Sequence, residues 1–448
     1  MVSMILTLAA LLPVCAQDIV DKATAESAQQ TLENTKLTER QAQLKEKISE
    51  IALSEAISSA NDRRKSGNDS VESTLRVSLL TCGQGDEAYE LYGHSAIRIL
   101  CTDSVGFDIV FNYGIFDFNS DNFILRFSLG ETDYICGMQD TEDFIESYRR
   151  AGRYIDEQVL NMTQREAERL YNALIENSKP ENRVYRYNFF HDNCATRVRD
   201  IIESCLDGKL QYPERPLERS WRDALHFFNR GSKWYAFGQD LVLGAEADVL
   251  ASGRELEFVP LIMEQDFSGA LITDQLYQIH TFASEKTRLL DLPAVVPEAG
   301  FFLSPLAVAI LLLVIAIVLG FVEFKRGRIV WIFDSVAMLT QGIAGLIVTF
   351  MFFFSVHPTV GSNWLVWILN PLPLVGLFWQ IRGARRHRYA CYHKVAAVVI
   401  GLFLICSPFI SQKFGAAILI LALFLFVRNI TNLIVWRKIK AGQREIKK

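Results

Sequence analysis

The residues best suited to chemistry are a cysteine and a histidine far apart in the chain, Cys194 and His94. Cys194 follows Asp192 and Asn193, either of which is a good N-cap, so the cysteine is predicted in the first turn of a helix. Unpaired backbone N–H groups and the positive end of the helix dipole favour a thiolate there. The same N–H groups could bind the oxyanion of a tetrahedral intermediate. A buried structural cysteine, or a disulfide with Cys205, is the alternative at this point.

His94 is the candidate base for this nucleophile. It follows a glycine-containing turn and opens a predicted strand. A hairpin that turns near residues 103–104 places Asn112 opposite His94 on the same face, since side-chain parity and register agree. Asn112 would then orient the imidazole while the other ring nitrogen accepts the thiol proton. A lone histidine is more often structural, and His191 is a second candidate base, although it is poorly placed only three residues before Cys194.

Five further residues are candidates for contacts to an oxyanion or a substrate: Asn193, Gln158, Arg197, His357 and Asn363. Gln158 could donate to the oxyanion, as a glutamine does in papain-like enzymes. His357 and Asn363 lie in the loop 355–363, between two of the hydrophobic segments described below. The flanking charges predict that this loop is on the same side of the membrane as the soluble part of the chain. They could contact a phosphate headgroup or an amine, or be ordinary interfacial polar residues.

No motif indicates a metal, a cofactor or a nucleic acid. The soluble part has no His and Cys pair at ligand spacing and no glycine-rich phosphate loop. Basic residues cluster only beside the hydrophobic segments, where topology and anionic lipid headgroups explain them. We therefore predict no metal site, no cofactor and no nucleic-acid partner.

Charge divides the chain into two parts. Residues 301–448 carry 16 Lys and Arg against three acidic residues, a net +13, so the total of −5 leaves −18 for residues 1–300. Five hydrophobic segments in the basic part predict an all-α bundle of membrane helices, at about 303–324, 330–354, 364–381, 394–410 and 414–436. Basic residues flank one side of these spans, which predicts a cytoplasmic C-terminus and an extracytoplasmic soluble domain.

The remaining chain is predicted in four pieces. Residues 1–16 resemble a cleavable signal peptide, although no basic residue precedes the apolar run. Residues 17–72 are predicted as a charged helical extension, residues 73–269 as a compact α+β domain that holds His94 and Cys194, and residues 270–302 as a connecting segment. Five cysteines fall outside the signal and the spans, and the sequence does not reveal how they pair.

Several motifs of the soluble part occur together in one known family: Leu79 to Asp86, Gly93 to Arg98, Phe111 to Phe118, Glu157 to Asn161, Glu181 to Arg183 and Tyr187 to Arg197. A histidine that opens a strand, a polar residue on the next strand and a later Asn-Cys resemble the circularly permuted papain-like fold. That group includes NlpC/P60-like enzymes and lecithin:retinol acyltransferase relatives. More narrowly, the chain is similar to the Bacteroidota family whose soluble part is called the Lnb N-terminal periplasmic domain. Its long segment before residue 67 departs from that family, as does Gln84 where a proline is expected.

The resemblance implies a bacterial inner-membrane enzyme with its catalytic domain in the periplasm. It implies transfer of an acyl chain from a phospholipid to the N-terminal amine of a diacylated lipoprotein, through a thioester on Cys194. One alternative is a tethered cysteine peptidase or amidase of cell-wall peptides, or a lipid hydrolase. The other is a non-catalytic membrane assembly factor.

Overall fold

The computed structural model describes residues 75–102, 106–117, 120–214, 216–274, 277–294, 303–385 and 392–445. The predicted signal and helical extension lie outside these residues. The strands are β1 Leu75–Cys82, β2 His94–Cys101, β3 Phe107–Ile115, β4 Asp133–Asp140, β5 Ile155–Val159, β6 Val184–Arg186, β7 Lys209–Gln211, β8 Leu271–Thr273, β9 Ile279–Thr281 and β10 Thr287–Leu290. The helices of the soluble part are α1 Phe123–Leu129, α2 Thr141–Arg150, α3 Gln164–Ser178, α4 Thr196–Ser204, α5 Trp221–Asn229, α6 Lys233–Val242, α7 Gly253–Leu256 and α8 Pro260–Gly269.

A seven-stranded antiparallel sheet in the order β10-β5-β1-β2-β3-β4-β6 is the centre of the soluble domain. The sequence predicts strands at residues 75–80, 95–100 and 107–113, and these are β1, β2 and β3 of the sheet. Alternating side chains bury both faces of these strands. Leu79, Ile97 and Phe111 pack under α3, α4 and α8, while Leu80 and Val110 pack under α2. Because helices cover both faces of the sheet, its side chains can contact a substrate only at the ends of the strands.

Thr163 followed three residues later by Glu166 predicts a capping box at the start of a helix, and α3 begins with one. Thr163 accepts from the backbone N–H of Glu166, and the Glu166 carboxylate accepts from the backbone N–H of Thr163. The Glu166 carboxylate also accepts from the backbone N–H of Asp207, which ties α3 to the segment after α4. This local motif therefore also holds the layer that covers one face of the sheet.

Residues 270–302 are predicted as a connecting segment, but three strands of the folded domain lie within this range. Its residues 271–273 and 279–281 form β8 and β9, which pair with β7 in a small second sheet. Residues 287–290 form β10, which pairs with β5 at the edge of the main sheet. The physical reason is that β5 would otherwise present an unpaired edge. The folded domain thus continues to residue 290.

Five helices long and apolar enough to cross a membrane follow: Pro305–Arg326, Trp331–Phe354, Trp364–Gly383, Tyr392–Phe409 and Ala416–Ala441. We refer to them as spans 1 to 5. Each begins within two residues of its predicted start. Span 3 opens with a 3-10 turn, and at that break the side chain of Gln341 in span 2 donates to the carbonyl of Ile368 at 2.8 Å. This is how a broken membrane helix satisfies its backbone.

The soluble domain is docked on one end of the spans. Asn363 donates to the carbonyl of Leu241 at 2.8 Å, and Gln412 donates to that of Leu243 at 3.0 Å. Gly244 lies so close to the loop after span 2 that a Cβ would collide with Thr359. These contacts set the height of the domain above the spans.

Candidate active site

The thiol of Cys194 lies just before α4 in a tightly bonded turn. Asn193 caps the helix, because its side-chain oxygen accepts from the backbone N–H groups of Ala195 at 2.8 Å and Thr196 at 3.0 Å. Its amide nitrogen donates to the carbonyls of Phe189 and Phe258. Asn193, a sequence candidate for the oxyanion, therefore has its side chain fully used in positioning the cysteine.

His94 and Asn112 are in contact, although the register differs from the expected one. The Nε2 atom of His94 lies 2.6 Å from Oδ1 of Asn112. Strand β2 pairs with β3 through Ile97 and Phe111, a register that, continued, places Gly114 rather than Asn112 across from His94. A shift of two residues keeps side-chain parity, so Asn112 still reaches His94 diagonally. Since Oδ1 only accepts, Nε2 carries the proton and Nδ1 is the basic nitrogen.

Gly114 is the point at which the predicted nucleophile, Cys194, and the predicted base, His94, come close together. A Cβ at this position would lie 3.2 Å from Cβ of Cys194 and 3.8 Å from Cε1 of His94. Its φ of +92° belongs to the region that favours glycine, and the β3–β4 register shifts between Tyr113 and Ile115 at the same point. The sequence reasoning missed this role, although Gly114 lies inside one of the family motifs.

Burial favours the neutral forms of both Cys194 and His94. Part of each side chain is exposed, yet burial among protein atoms raises the pKa of the Cys194 thiol to about 11, against the lowering effect of backbone N–H groups of Ser95, Cys194 and Ala195. Burial likewise lowers the pKa of His94 to about 4, although the hydrogen bond with Asn112 opposes this. The thiolate expected at the helix start is therefore not the resting form, since desolvation outweighs the helix end.

Two further residues at the site were not identified from the sequence. The Tyr185 hydroxyl is buried, has no hydrogen-bond partner among the described residues, and lies 4.0 Å from where a Gly114 Cβ would be. Arg153 donates to the carbonyl of Gly83 and to Glu90, and its charge lowers the pKa of both Cys194 and His94. No local pattern marks either residue, because both reach the site through long-range packing.

Gln158 and Arg197 have other contacts in the structure. Gln158 lies on β5 and pairs with Leu79 of β1. Leu79 is three positions from Cys82, so the two side chains lie on opposite faces of the sheet. The side-chain amide of Gln158 donates to the hydroxyl of Ser268 at 2.7 Å. The expectation that it reaches the oxyanion is therefore not met. Arg197 forms an ion pair with Asp192, and its guanidinium carbon lies 3.8 Å from the centroid of the Tyr185 ring.

The two candidates from the loop after span 2 connect the domain to the spans. Asn363 uses its amide nitrogen on Leu241, and its oxygen accepts from Leu365 and Gln412. His357 donates from Nε2 to the carbonyl of Phe127 in α1 at 2.6 Å, and burial lowers its pKa. Both side chains therefore act as connectors in this structure. The other candidate base, His191, is exposed and stands edge-on to Trp221.

Within the described ranges, Cys82, Cys136, Cys194, Cys205 and Cys406 carry free thiols, so Cys194 and Cys205 are not joined. The same ranges contain no group of three or more His, Cys, Asp or Glu that could hold a metal ion. The arrangement can support covalent catalysis: a thiol, a basic nitrogen held by an amide, and N–H and O–H donors around them.

Two family models match the chain. The model described as the Lnb N-terminal periplasmic domain matches residues 68–226, and the one described as the Lnb transmembrane domain matches residues 297–440. No curated protein and no solved structure matches. A sheet-rich domain followed by five membrane helices is confirmed, while the permuted papain-like arrangement stays a prediction.

Proposed function

The chain belongs to the Lnb family, and we propose on that premise that it transfers an acyl chain from a phospholipid to the N-terminal amine of a diacylated lipoprotein. One observation carries the proposal: Cys194 and His94 converge on Gly114 at one end of the sheet, in a domain that is docked on the membrane spans. Both substrates are lipids, and a peptidase would need only one anchor. We place the domain in the periplasm, the spans in the inner membrane and the C-terminus in the cytoplasm.

The first half of the reaction forms a thioester. The sulfur of Cys194 attacks the ester carbonyl of the phospholipid while its proton passes to Nδ1 of His94, whose Nε2 proton is held by Asn112. The oxyanion accepts from the backbone N–H groups of Ser95 and Cys194, which lie beside the thiol, and from the unpartnered hydroxyl of Tyr185. Burial raises the pKa of that hydroxyl, so it stays a donor. The glycerol oxygen leaves with the proton from His94.

The second half returns the thiol. The lipoprotein amine attacks the thioester carbonyl and loses a proton to Nδ1 of His94. The C–S bond breaks, the amide remains on the lipoprotein, and Cys194 takes the proton back from His94. No cofactor or metal is required, because every proton moves between His94 and the reacting groups.

We expect Cys194→Ala to abolish N-acylation and leave the protein in the membrane. The other thiol beside His94, Cys82 on the paired strand, is fully buried, whereas Cys194 is partly exposed. Mass spectrometry of a model lipoprotein, from cells that depend on this gene, measures the product. The full-length protein incubated with phospholipid alone should also gain one hydroxylamine-sensitive acyl mass at Cys194.

Cys406→Ala is the matched control, because it removes an exposed thiol from span 4 and should leave acylation unchanged. A triacylated lipoprotein made by the Cys194→Ala protein would contradict the mechanism. Release of free fatty acid without transfer would support the hydrolase alternative, and cleavage of cell-wall peptides would support the amidase alternative.

A further inference from the structure

The short helix α1 exposes an arc of apolar side chains beside the site. Ile124 is 81% exposed and Leu125 50%, and Phe127 is also largely exposed. Arg126 points to the opposite side, where it donates to Asp133 and to the carbonyl of Glu131. A helix with a polar anchor on one side and bulky apolar groups on the other is typical of segments that lie in a lipid interface.

Contacts with span 2 place this arc at the membrane surface. The backbone N–H of Val356 donates to the carbonyl of Leu129 at 2.8 Å, beside the bond from His357 to Phe127. Span 2 ends at Phe354, and its last residues, Phe353 and Phe354, are as exposed as the arc. The exposed face of α1 is therefore continuous with the lipid-facing surface of the span.

An aromatic path leads from α1 towards the thiol. Phe123 stacks on Phe116 with ring centroids 5.7 Å apart, and Phe116 packs on Tyr134 at 4.9 Å. Phe116 comes two residues after Gly114, where Cβ of Cys194 makes its close approach. Aromatic side chains thus connect α1 with the part of β3 that lies beside Cys194.

We propose that α1 inserts its apolar arc into the leaflet on the domain's side and presents the acyl ester of a phospholipid in that leaflet to Cys194. The ester of a glycerophospholipid lies between the headgroups and the chains, which is the depth that an interfacial helix occupies. This inference rests on the proposed function and adds the surface through which the acyl donor enters.

The test compares one phospholipid in a bilayer with one in water. Full-length protein is placed in nanodiscs of diester phosphatidylethanolamine without lipoprotein, and acylation of Cys194 is followed by intact mass. A second set uses discs of non-cleavable diether lipid, supplied with a short-chain diester phospholipid below its micelle concentration. We expect Ile124→Ser with Leu125→Ser to slow acylation from the diester bilayer by about tenfold or more. Acylation by the soluble lipid should be unchanged.

Tyr277→Ser is the matched control, because Tyr277 is 89% exposed and lies between β8 and β9. It should react like the unmodified protein with both lipids. Equal rates for the double variant and the unmodified protein in the diester bilayer would overturn the inference. A parallel loss with both lipids would also overturn it, because the arc would then support the site rather than the entry of lipid.

A second measurement keeps the inference separate from the proposed function. A photoreactive benzophenone amino acid at position 124 should crosslink to phospholipid, whereas the same group at position 277 should not. If the unmodified protein gains no acyl mass, the proposed function fails, and the crosslink alone then decides whether α1 meets lipid. No crosslink at position 124 would overturn the inference.

Discussion

Arg428, in the middle of span 5, and Cys194, at the end of the sheet, are both surrounded by polar groups, but the two surroundings differ. Arg428 donates to Glu323 and Asp334, and Asn432 also donates to Asp334. The charges of this cluster are thus paired with one another. Around Cys194, by contrast, the reacting groups are neutral and the Tyr185 hydroxyl has no partner among the described residues.

The difference separates a polar group that holds helices from one that is kept for a substrate. A buried charge without a partner is costly, so a cluster that joins spans 1, 2 and 5 must satisfy its charges internally. A site that stabilises a transient oxyanion needs donors that nothing else occupies. If this distinction is correct, substitutions in the first cluster change stability, and substitutions in the second change rate.

The largest effect is expected for Arg428→Leu. It leaves the carboxylates of Glu323 and Asp334 without their cation in a buried place, which should cost about 3–5 kcal/mol of unfolding free energy. The measurement is reversible unfolding of the full-length protein in detergent or bicelles. Arg437→Leu is the control, because Arg437 is exposed on the same helix and should cost little. If both variants lose the same unfolding free energy, the cluster around Arg428 does not hold the helices together.

A smaller effect, on rate alone, is expected for Tyr185→Phe. Losing the hydroxyl should slow thioester formation by about 10²-fold without loss of stability, because the hydroxyl has no partner to leave unsatisfied. Tyr113→Phe is the matched contrast. The Tyr113 hydroxyl accepts from Asn177 at 2.9 Å, so this variant should lose about 1 kcal/mol of stability and keep its rate. The reverse pattern would contradict the comparison.

The smallest effect is expected from pH. Because burial lowers the pKa of His94 to about 4, the base stays neutral well below pH 6.5, and the rate of acylation of Cys194 should fall only with a midpoint near pH 4. An unfolded histidine takes up its proton near its ordinary pKa of about 6.5. His94 therefore destabilises the fold as pH drops below that value. Unfolding must be recorded alongside the rate, with His94→Gln as the reference. A kinetic midpoint near 6.5 would show that His94 is not desolvated.

Local patterns predicted much of this molecule. Alternation predicted β1 to β3, hydropathy predicted the five spans, and the Thr163–Glu166 pair predicted the start of α3. The contact between His94 and Asn112 was also predicted, because parity survives a register error of two residues.

What the sequence did not predict depends on distant parts of the chain. The neutral state of Cys194 depends on how deeply the site is desolvated, which a helix start does not reveal. The closeness of Gly114 to the thiol depends on a left-handed backbone conformation, and the pairing of β10 with β5 depends on residues more than a hundred positions apart. Tyr185 and Arg153 reach the site by the same kind of long-range packing.

The domain is docked closely on the spans through Gly244, Asn363 and Gln412. This also determines which measure of substrate concentration controls the rate. A site held at one height above the bilayer meets its substrates by lateral diffusion. Under the proposed reaction, turnover would therefore follow the number of donor and acceptor molecules per unit area of membrane. Adding inert lipid would slow the enzyme by surface dilution, while changing the volume of the surrounding water would not.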